Sequence, residues 1–199
     1  RAGVSHDERG GGILFIVIGP SGAGKDSVIS GAHATHGSDP RVLFVRRAIT
    51  RPSDASTEDH DSLTPEAFER CRQEGRFAVS WHAHGLSYGL PRDALLHVRS
   101  GGVAIANGSR AALPAICDAF ESVHVVQVTA PPEVLAERLR GRGRESGGEV
   151  VQRLERRVET ALPEGVAISV IDNGGKLEGA VADFRALVAA ALDRKGASA

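Results

Sequence analysis

The segment Gly19-Pro20-Ser21-Gly22-Ala23-Gly24-Lys25-Asp26-Ser27 stands between an apolar run, Ile13 to Ile18, and a stretch of helical composition from Val28 onward. A glycine-rich turn in that setting lets backbone N–H groups converge on phosphate oxygens, and the N-terminus of the following helix adds a favourable dipole. The chemistry implied is binding of nucleotide phosphates, with Gly19 to Ser27 as the cradle and Lys25 reaching the terminal phosphates as a point charge. Composition sharpens the point. Of 24 basic residues only Lys25, Lys176 and Lys195 are lysine, so Lys25 is the one lysine in a long, arginine-using stretch. Something at that position excludes the broader, planar guanidinium.

The residue after such a lysine is ordinarily Ser or Thr and ligates magnesium; here it is Asp26, followed by Ser27. Either Asp26 holds the metal, directly or through water, or Ser27 takes that role. No apolar run ends in a carboxylate that would supply a second metal aspartate: the run at 103–106 leads into Asn107 and that at 123–128 into Thr129.

Arginines form the second set. Arg138, Arg140, Arg142, Arg144, Arg153, Arg156 and Arg157 cluster about the glycine-rich stretch 141–148. Beside a nucleotide cradle, Arg138, Arg142 and Arg144 suit a lid that neutralises charge on a transferring phosphoryl group and excludes water, while Arg140 and Arg157 read equally as a solvated face. Arg46, Arg47, Thr50 and Arg51 follow the second apolar run, at the carboxyl end where α/β sheets bind ligands, and point to an anionic acceptor. Glu58 and His60 read either as acceptor groups or as polar filler. Trp81 and Tyr88 are the single Trp and Tyr of the chain; Trp81 is expected in the core, and Tyr88, beside Gly89, against ligand. His82, Asn107, Ser109 and Arg110 are further acceptor candidates.

The elements that must position these residues are legible as short buried runs alternating with helical stretches. Strands are expected at Ile13–Ile18, Val42–Val45, Val103–Ala106, Val123–Val128 and Ala167–Ile171. Helices are expected from Val28, from Pro65 to Gly75, and over Pro91–Val98, Pro132–Leu139, Glu149–Leu162 and Leu177–Leu192. This alternation predicts an α/β fold with a parallel sheet flanked by helices. Residues 1–12 are expected as a flexible arm and 13–195 as one domain, with an acceptor-binding region at about 47–90 and a lid at about 138–153. The stretches 47–62 and 141–148 read as polar loops.

Net charge −1, with 41% hydrophobic and 25% charged residues, excludes bulk electrostatic binding of nucleic acid and describes an ordinary globular protein. The longest apolar run is far short of a membrane span. The absence of a leader and the two cysteines, Cys71 and Cys117, predict a reducing cytoplasm; an initial Arg in a chain without Met suggests that the natural start lies elsewhere. No dimer face is legible.

The chain resembles the guanylate kinase fold. The cradle, Thr50-Arg51, Glu58, Tyr88-Gly89 and Arg138-Leu-Arg-Gly-Arg142-Gly143 occur in that family's order. Two departures count against guanine as acceptor: the Ser/Thr pair expected after Tyr-Gly is Leu90-Pro91, and two acidic residues expected after the third strand are Asn107 and Ser109. A site built to hydrogen-bond a base loses heavily when those groups are missing. A closer resemblance is to the ribose 1,5-bisphosphate phosphokinases of the phosphonate carbon–phosphorus lyase pathway. It rests on Gly24-Lys25-Asp26-Ser27, Ile49-Thr50-Arg51, Ser80-Trp81-His82-Ala83, Tyr88-Gly89, Asn107-Gly108-Ser109-Arg110 and Arg142-Gly143-Arg144-Glu145. That resemblance implies a P-loop kinase using ATP and Mg2+ to phosphorylate a phosphorylated sugar, giving 5-phosphoribosyl 1-diphosphate. The alternatives are a guanylate or other nucleoside monophosphate kinase and a non-catalytic guanylate-kinase-like binding module; the intact Gly24-Lys25 speaks against the last.

Overall fold

The computed structural model describes residues 11–51, 60–141 and 163–196. Its strands are β1 (Ile13–Ile18), β2 (Val42–Phe44), β3 (Arg47–Ile49), β4 (His60–Ser62), β5 (Phe77–Ala83), β6 (Leu86–Pro91), β7 (Val103–Asn107), β8 (Val123–Thr129) and β9 (Ala167–Asp172). The helices are α1 (Lys25–His36), α2 (Pro65–Gln73), α3 (Arg92–Arg99), α4 (Leu113–Ala119), α5 (Pro132–Gly141) and α6 (Leu177–Gly196), with a 3-10 turn at Arg110–Ala112 before α4.

The five apolar runs form one sheet in the order β2-β7-β1-β8-β9, every neighbouring pair parallel. Successive side chains of a strand point to opposite faces, so a continuous apolar run requires cover on both. Phe15 and Val17 of β1 pack with Val28 and Ala32 of α1 and with Phe184 and Val188 of α6. Leu14, Ile16 and Ile18 pack on the other face with Ala94 and Val98 of α3, Leu113 and Ile116 of α4, and Val79 and Leu90. Each large side chain buried in this way contributes about 1.5–3 kcal/mol. β1 is central, and the chain leaves it first toward β2 and later, after β7, crosses to β8. The carboxyl end of β1 is therefore a switch point, where such sheets open a crevice for ligands.

A second sheet, in the order β4-β3-β6-β5, places strands at the two ends of the stretch 47–62 expected as a loop, while 52–59 lie outside the described residues. β3 lies antiparallel to β6 and parallel to β4, and β5 and β6 form an antiparallel hairpin. Strands of three residues are too short to show a period. The hairpin turns at His84 and Gly85, whose φ values are 51° and 74°; two positive φ values suit a tight hairpin turn, but His-Gly lacks the usual Asn-Gly signal. Three further expectations change. Pro91 closes β6 and precedes α3 rather than opening it. The helix α4, with Pro near its start, had no counterpart. Gly12, expected in the arm, is buried and donates its N–H to Val98 O at 2.8 Å. The helix expected over Glu149–Leu162, residues 1–10 and most of the expected lid lie outside the described residues. Cys71 and Cys117 are unpaired. No helix among the described residues is long and apolar enough to cross a membrane.

His124 on β8 packs against Phe15, with ring centroids 5.2 Å apart, and meets Ser169 Oγ at 2.8 Å. Burial, with a smaller contribution from the Arg194 charge, holds its pKa below the ordinary value of 6.5. The folded state thus binds the proton less readily than the unfolded chain. This contribution to stability is complete above the unfolded value and is lost as pH falls from about 6.5 through the folded one. His124→Gln, which keeps a neutral partner for Ser169, is expected to flatten the loss of melting temperature between about pH 7 and about pH 5. An unchanged acid limb in thermal denaturation would contradict this assignment.

Candidate active site

Beyond β1 the chain turns through Gly19, Gly22 and Gly24, with φ values of 153°, 85° and 84°. Gly24 occupies the left-handed region immediately before α1, and no side chain among the described residues caps that helix. Its first N–H groups are thus left without a side-chain acceptor, the arrangement that binds anions. Two close approaches hold the loop: a Cβ on Gly19 would collide with the carbonyl oxygen of Val128, and one on Gly24 with Asn173 Nδ2. Lys25 folds back so that Nζ donates to Gly19 O at 2.9 Å and to Pro20 O at 3.2 Å. These neutral acceptors keep the ammonium over the loop; phosphate oxygens bind it more strongly because the bond is then charge-assisted on both sides.

Asn173 lies just past β9. It is 2% exposed, and Nδ2 donates to Ala23 O at 2.7 Å. Its own backbone oxygen accepts from Arg138 Nη2 at 2.9 Å, while Arg138 Nη1 lies 3.5 Å from Gly22 O. Asn173 therefore ties the phosphate loop to Arg138 of α5 through its side-chain amide and its backbone oxygen, and the Arg138 guanidinium is set against the cradle. Asn173 Oδ1 is buried without a hydrogen-bond partner among the described residues. No local pattern marked it, because the contact joins residues 150 positions apart.

Asp26, in the first turn of α1, accepts from Asn107 Nδ2 at 2.6 Å. Asn107 is 7% exposed and ends β7 opposite Val17, so its amide is engaged at the cradle. Ser27 is exposed. Among the described residues no group of three or more His, Cys, Asp or Glu gathers. The oxygen donors Asp26 and Ser27 at the head of α1 are of the kind that fits magnesium, which takes one or two protein oxygens together with substrate phosphates and waters, and they are the residues that would hold it.

The second sheet carries the other candidates. Trp81 and Tyr88 face each other across β5 and β6 as a parallel stack, centroids 5.4 Å apart and planes 8° apart. The Arg47 guanidinium lies 5.8 Å from the Trp81 ring and 5.3 Å from the Tyr88 ring, and Arg47 is 6% exposed. Trp81 is thus both packed on the core and part of an aromatic platform holding a buried arginine, beyond the purely core role expected of it. Thr50 is fixed by Ser87, whose N–H donates to Thr50 Oγ1 at 2.8 Å; His82 Nδ1 lies 3.3 Å from Ser87 Oγ. His60 is buried and its Nε2 meets Ser62 Oγ at 3.2 Å. Arg51 Nε and Ser109 Oγ are buried with no hydrogen-bond partner among the described residues, and polar atoms in that state ordinarily have a partner supplied by water or ligand. Arg110 opens the 3-10 turn beside Ser109. Leu90 is fully buried in the core, where it contributes nothing polar to a pocket.

No protein-family model matches the chain. Ribose 1,5-bisphosphate phosphokinase PhnN from Agrobacterium fabrum is 44% identical over 167 residues, which are 84% of this chain and 91% of that protein. The chain belongs to the ribose 1,5-bisphosphate phosphokinase family. A longer relative, the bifunctional ribose 1,5-bisphosphokinase-thymidine phosphorylase of Azorhizobium caulinodans, is 43% identical over 93% of this chain, which spans 27% of that protein's length. The crystal structure of guanylate kinase from Anaplasma phagocytophilum matches with a TM-score of 0.65 at 18% identity, covering 90% of this chain and 86% of that one. The phosphokinase family chain thus has the guanylate kinase-like α/β fold. Of the phosphokinase site residues read from sequence, Gly19 to Ser27 and Arg138 meet at the carboxyl end of β1, and Asn107 joins them through Asp26. Arg47, Tyr88 and His82 lie on the second sheet and Arg51 directly beyond β3. Glu58, Arg142 and Arg144 lie outside the described residues.

Proposed function

We propose that this chain transfers the γ-phosphate of ATP to the 1-phosphate of ribose 1,5-bisphosphate, giving 5-phosphoribosyl 1-diphosphate and ADP, as a cytoplasmic step of phosphonate catabolism. The observation that carries the reading is the pairing of a lysine-bearing phosphate cradle with a second sheet that holds the buried Arg47 over the Trp81 and Tyr88 rings and carries Leu90-Pro91 where a base-reading Ser/Thr pair would stand. An oxygen of the 1-phosphate forms the new bond to the γ-phosphorus as the bond to the β–γ bridging oxygen breaks, and the electron pair leaves with ADP. That nucleophile is already ionised at neutral pH, so no general base is required, and catalysis rests on positioning and charge neutralisation. Lys25 and the 19–27 backbone hold the ATP phosphates. Arg138, with Arg142 and Arg144, neutralises the transferring group. Arg47, Arg51, Glu58 and Tyr88 hold the acceptor, with His82, Ser109 and Arg110 toward its hydroxyls and 5-phosphate. Magnesium supplies charge neutralisation at the phosphates when bound.

The test is ADP release with a panel of acceptors. The reading expects kcat/KM for ribose 1,5-bisphosphate to exceed that for GMP by at least about a hundredfold, the discrimination of a site lacking base partners. A preference for GMP would return the chain to the nucleoside monophosphate kinases; ATP binding with no turnover on any acceptor would favour a binding module. Within this reading Arg51→Ala raises the acceptor KM at least about tenfold, the loss of one hydrogen bond to a charged group, and leaves the KM for ATP within about twofold. An unchanged acceptor KM in steady-state kinetics would remove Arg51 from the site.

A further inference from the structure

In P-loop nucleotide enzymes the metal is held by a Ser or Thr on the loop and an Asp from a neighbouring strand. This chain has neither in its usual place, and the two departures touch. The loop position carries Asp26, the end of β7 carries Asn107, and Asn107 Nδ2 donates to Asp26 Oδ1 at 2.6 Å across 81 residues of sequence. We propose that Asp26 and Asn107 are a reciprocal exchange, in which the metal carboxylate has moved from the strand to the loop and Asn107 is the positioning residue that aims it. The proposal rests on the kinase reading above and concerns its metal subsite.

The chemistry of the pair requires one acid and one amide. An ionised Asp26 has no proton to donate, so its partner must be a donor, and Asn supplies an N–H. Aspartate at 107 in addition to Asp26 would bring two carboxylates to hydrogen-bonding distance, where like charges oppose ionisation of both. Removing Asp26 alone would take away the carboxylate that Asn107 meets at the cradle. Asn107 is 7% exposed and held in register beside β1, so its amide has a fixed origin, as an oriented group behind a metal ligand requires. The neutral residue at 107 is then a consequence of the acid at 26, and both absences noted in the sequence have one cause.

The test measures binding of a non-hydrolysable ATP analogue by calorimetry, with magnesium and with a chelator, in the absence of any acceptor. Asp26→Asn is expected to cut the tightening conferred by magnesium at least about tenfold, the usual loss on disturbing a metal ligand set. With the chelator present it is expected to bind as tightly as the unaltered protein or more so, because a negative charge beside the phosphates has gone. A merely structural role for Asp26 would weaken binding under both conditions and overturns the proposal. The second arm is the exchange itself. Asp26→Ser and Asn107→Asp each lose turnover, and the double variant Asp26→Ser/Asn107→Asp recovers at least about tenfold over the weaker single variant, with its magnesium dependence restored. Additive losses in a folded double variant also overturn it; if that variant does not fold, the Asp26→Asn binding result decides. Because the binding arm uses no acceptor, a protein that fails to phosphorylate ribose 1,5-bisphosphate yet shows the Asp26→Asn pattern refutes the functional reading and leaves the exchange standing.

Discussion

Lys25→Ala lowers turnover by at least about a hundredfold, the loss seen when one preorganised charge-stabilising group is removed, and leaves the melting temperature nearly unchanged. The separation of the two effects follows from position. Lys25 Nζ rests on the carbonyl oxygens of Gly19 and Pro20, at a half-buried place on the loop, so its removal takes no apolar contact from either core layer. What is lost is a positive charge at phosphates whose negative charge must be gathered for transfer. Lys25→Arg is expected to rescue little, since the planar guanidinium is broader than the ammonium it replaces. Activity within about tenfold of the unaltered protein for Lys25→Ala would contradict the role given to the loop.

Gly19→Ala is expected to damage both stability and activity. The added methyl would collide with the backbone carbonyl of Val128 at the end of β8, and the residue already has a φ of 153°. Backbone cannot swing aside as a flexible side chain does, so either β8 or the loop moves. Overpacking of this kind costs about 1–3 kcal/mol, and a shift of about 1 Å in the cradle costs about a hundredfold in rate. Gly175→Ala is the control, because a Cβ there meets nothing within 4 Å. Melting temperature and kcat/KM measured on both variants check the pair: equal behaviour at the two positions would mean that the close approach at Gly19 has no consequence.

These two residues were legible because their signals are local. The cradle announces itself within nine residues, and β1, β7 and β8 are continuous apolar runs whose only stable place is a sheet covered on both faces. The second sheet was not legible for the opposite reason. Arg47–Ile49 and His60–Ser62 are three residues each, and they become strands only because β6 offers a ladder to β3 and β3 one to β4. Trp81 was legible as a buried aromatic but not as a platform, since its partner Tyr88 and the arginine beside it meet only when the hairpin closes. Asn173 and the Asp26–Asn107 bond lie furthest beyond local reading: each is a polar contact between segments 81 or more positions apart. Asn107 illustrates the difference. Its place at the carboxyl end of a strand marked it for the site, yet its partner is the cradle's own carboxylate.

The most direct test of the account is phosphorus NMR of the protein with ATP, magnesium and ribose 1,5-bisphosphate, followed by the same measurement with GMP. The account predicts a pair of mutually coupled phosphoryl signals at the sugar's C1, an unaltered 5-phosphate signal and stoichiometric ADP. Phosphorylation of GMP with the bisphosphate left untouched would contradict it, and would mean that guanine is read by groups other than those placed beside Leu90 and Asn107.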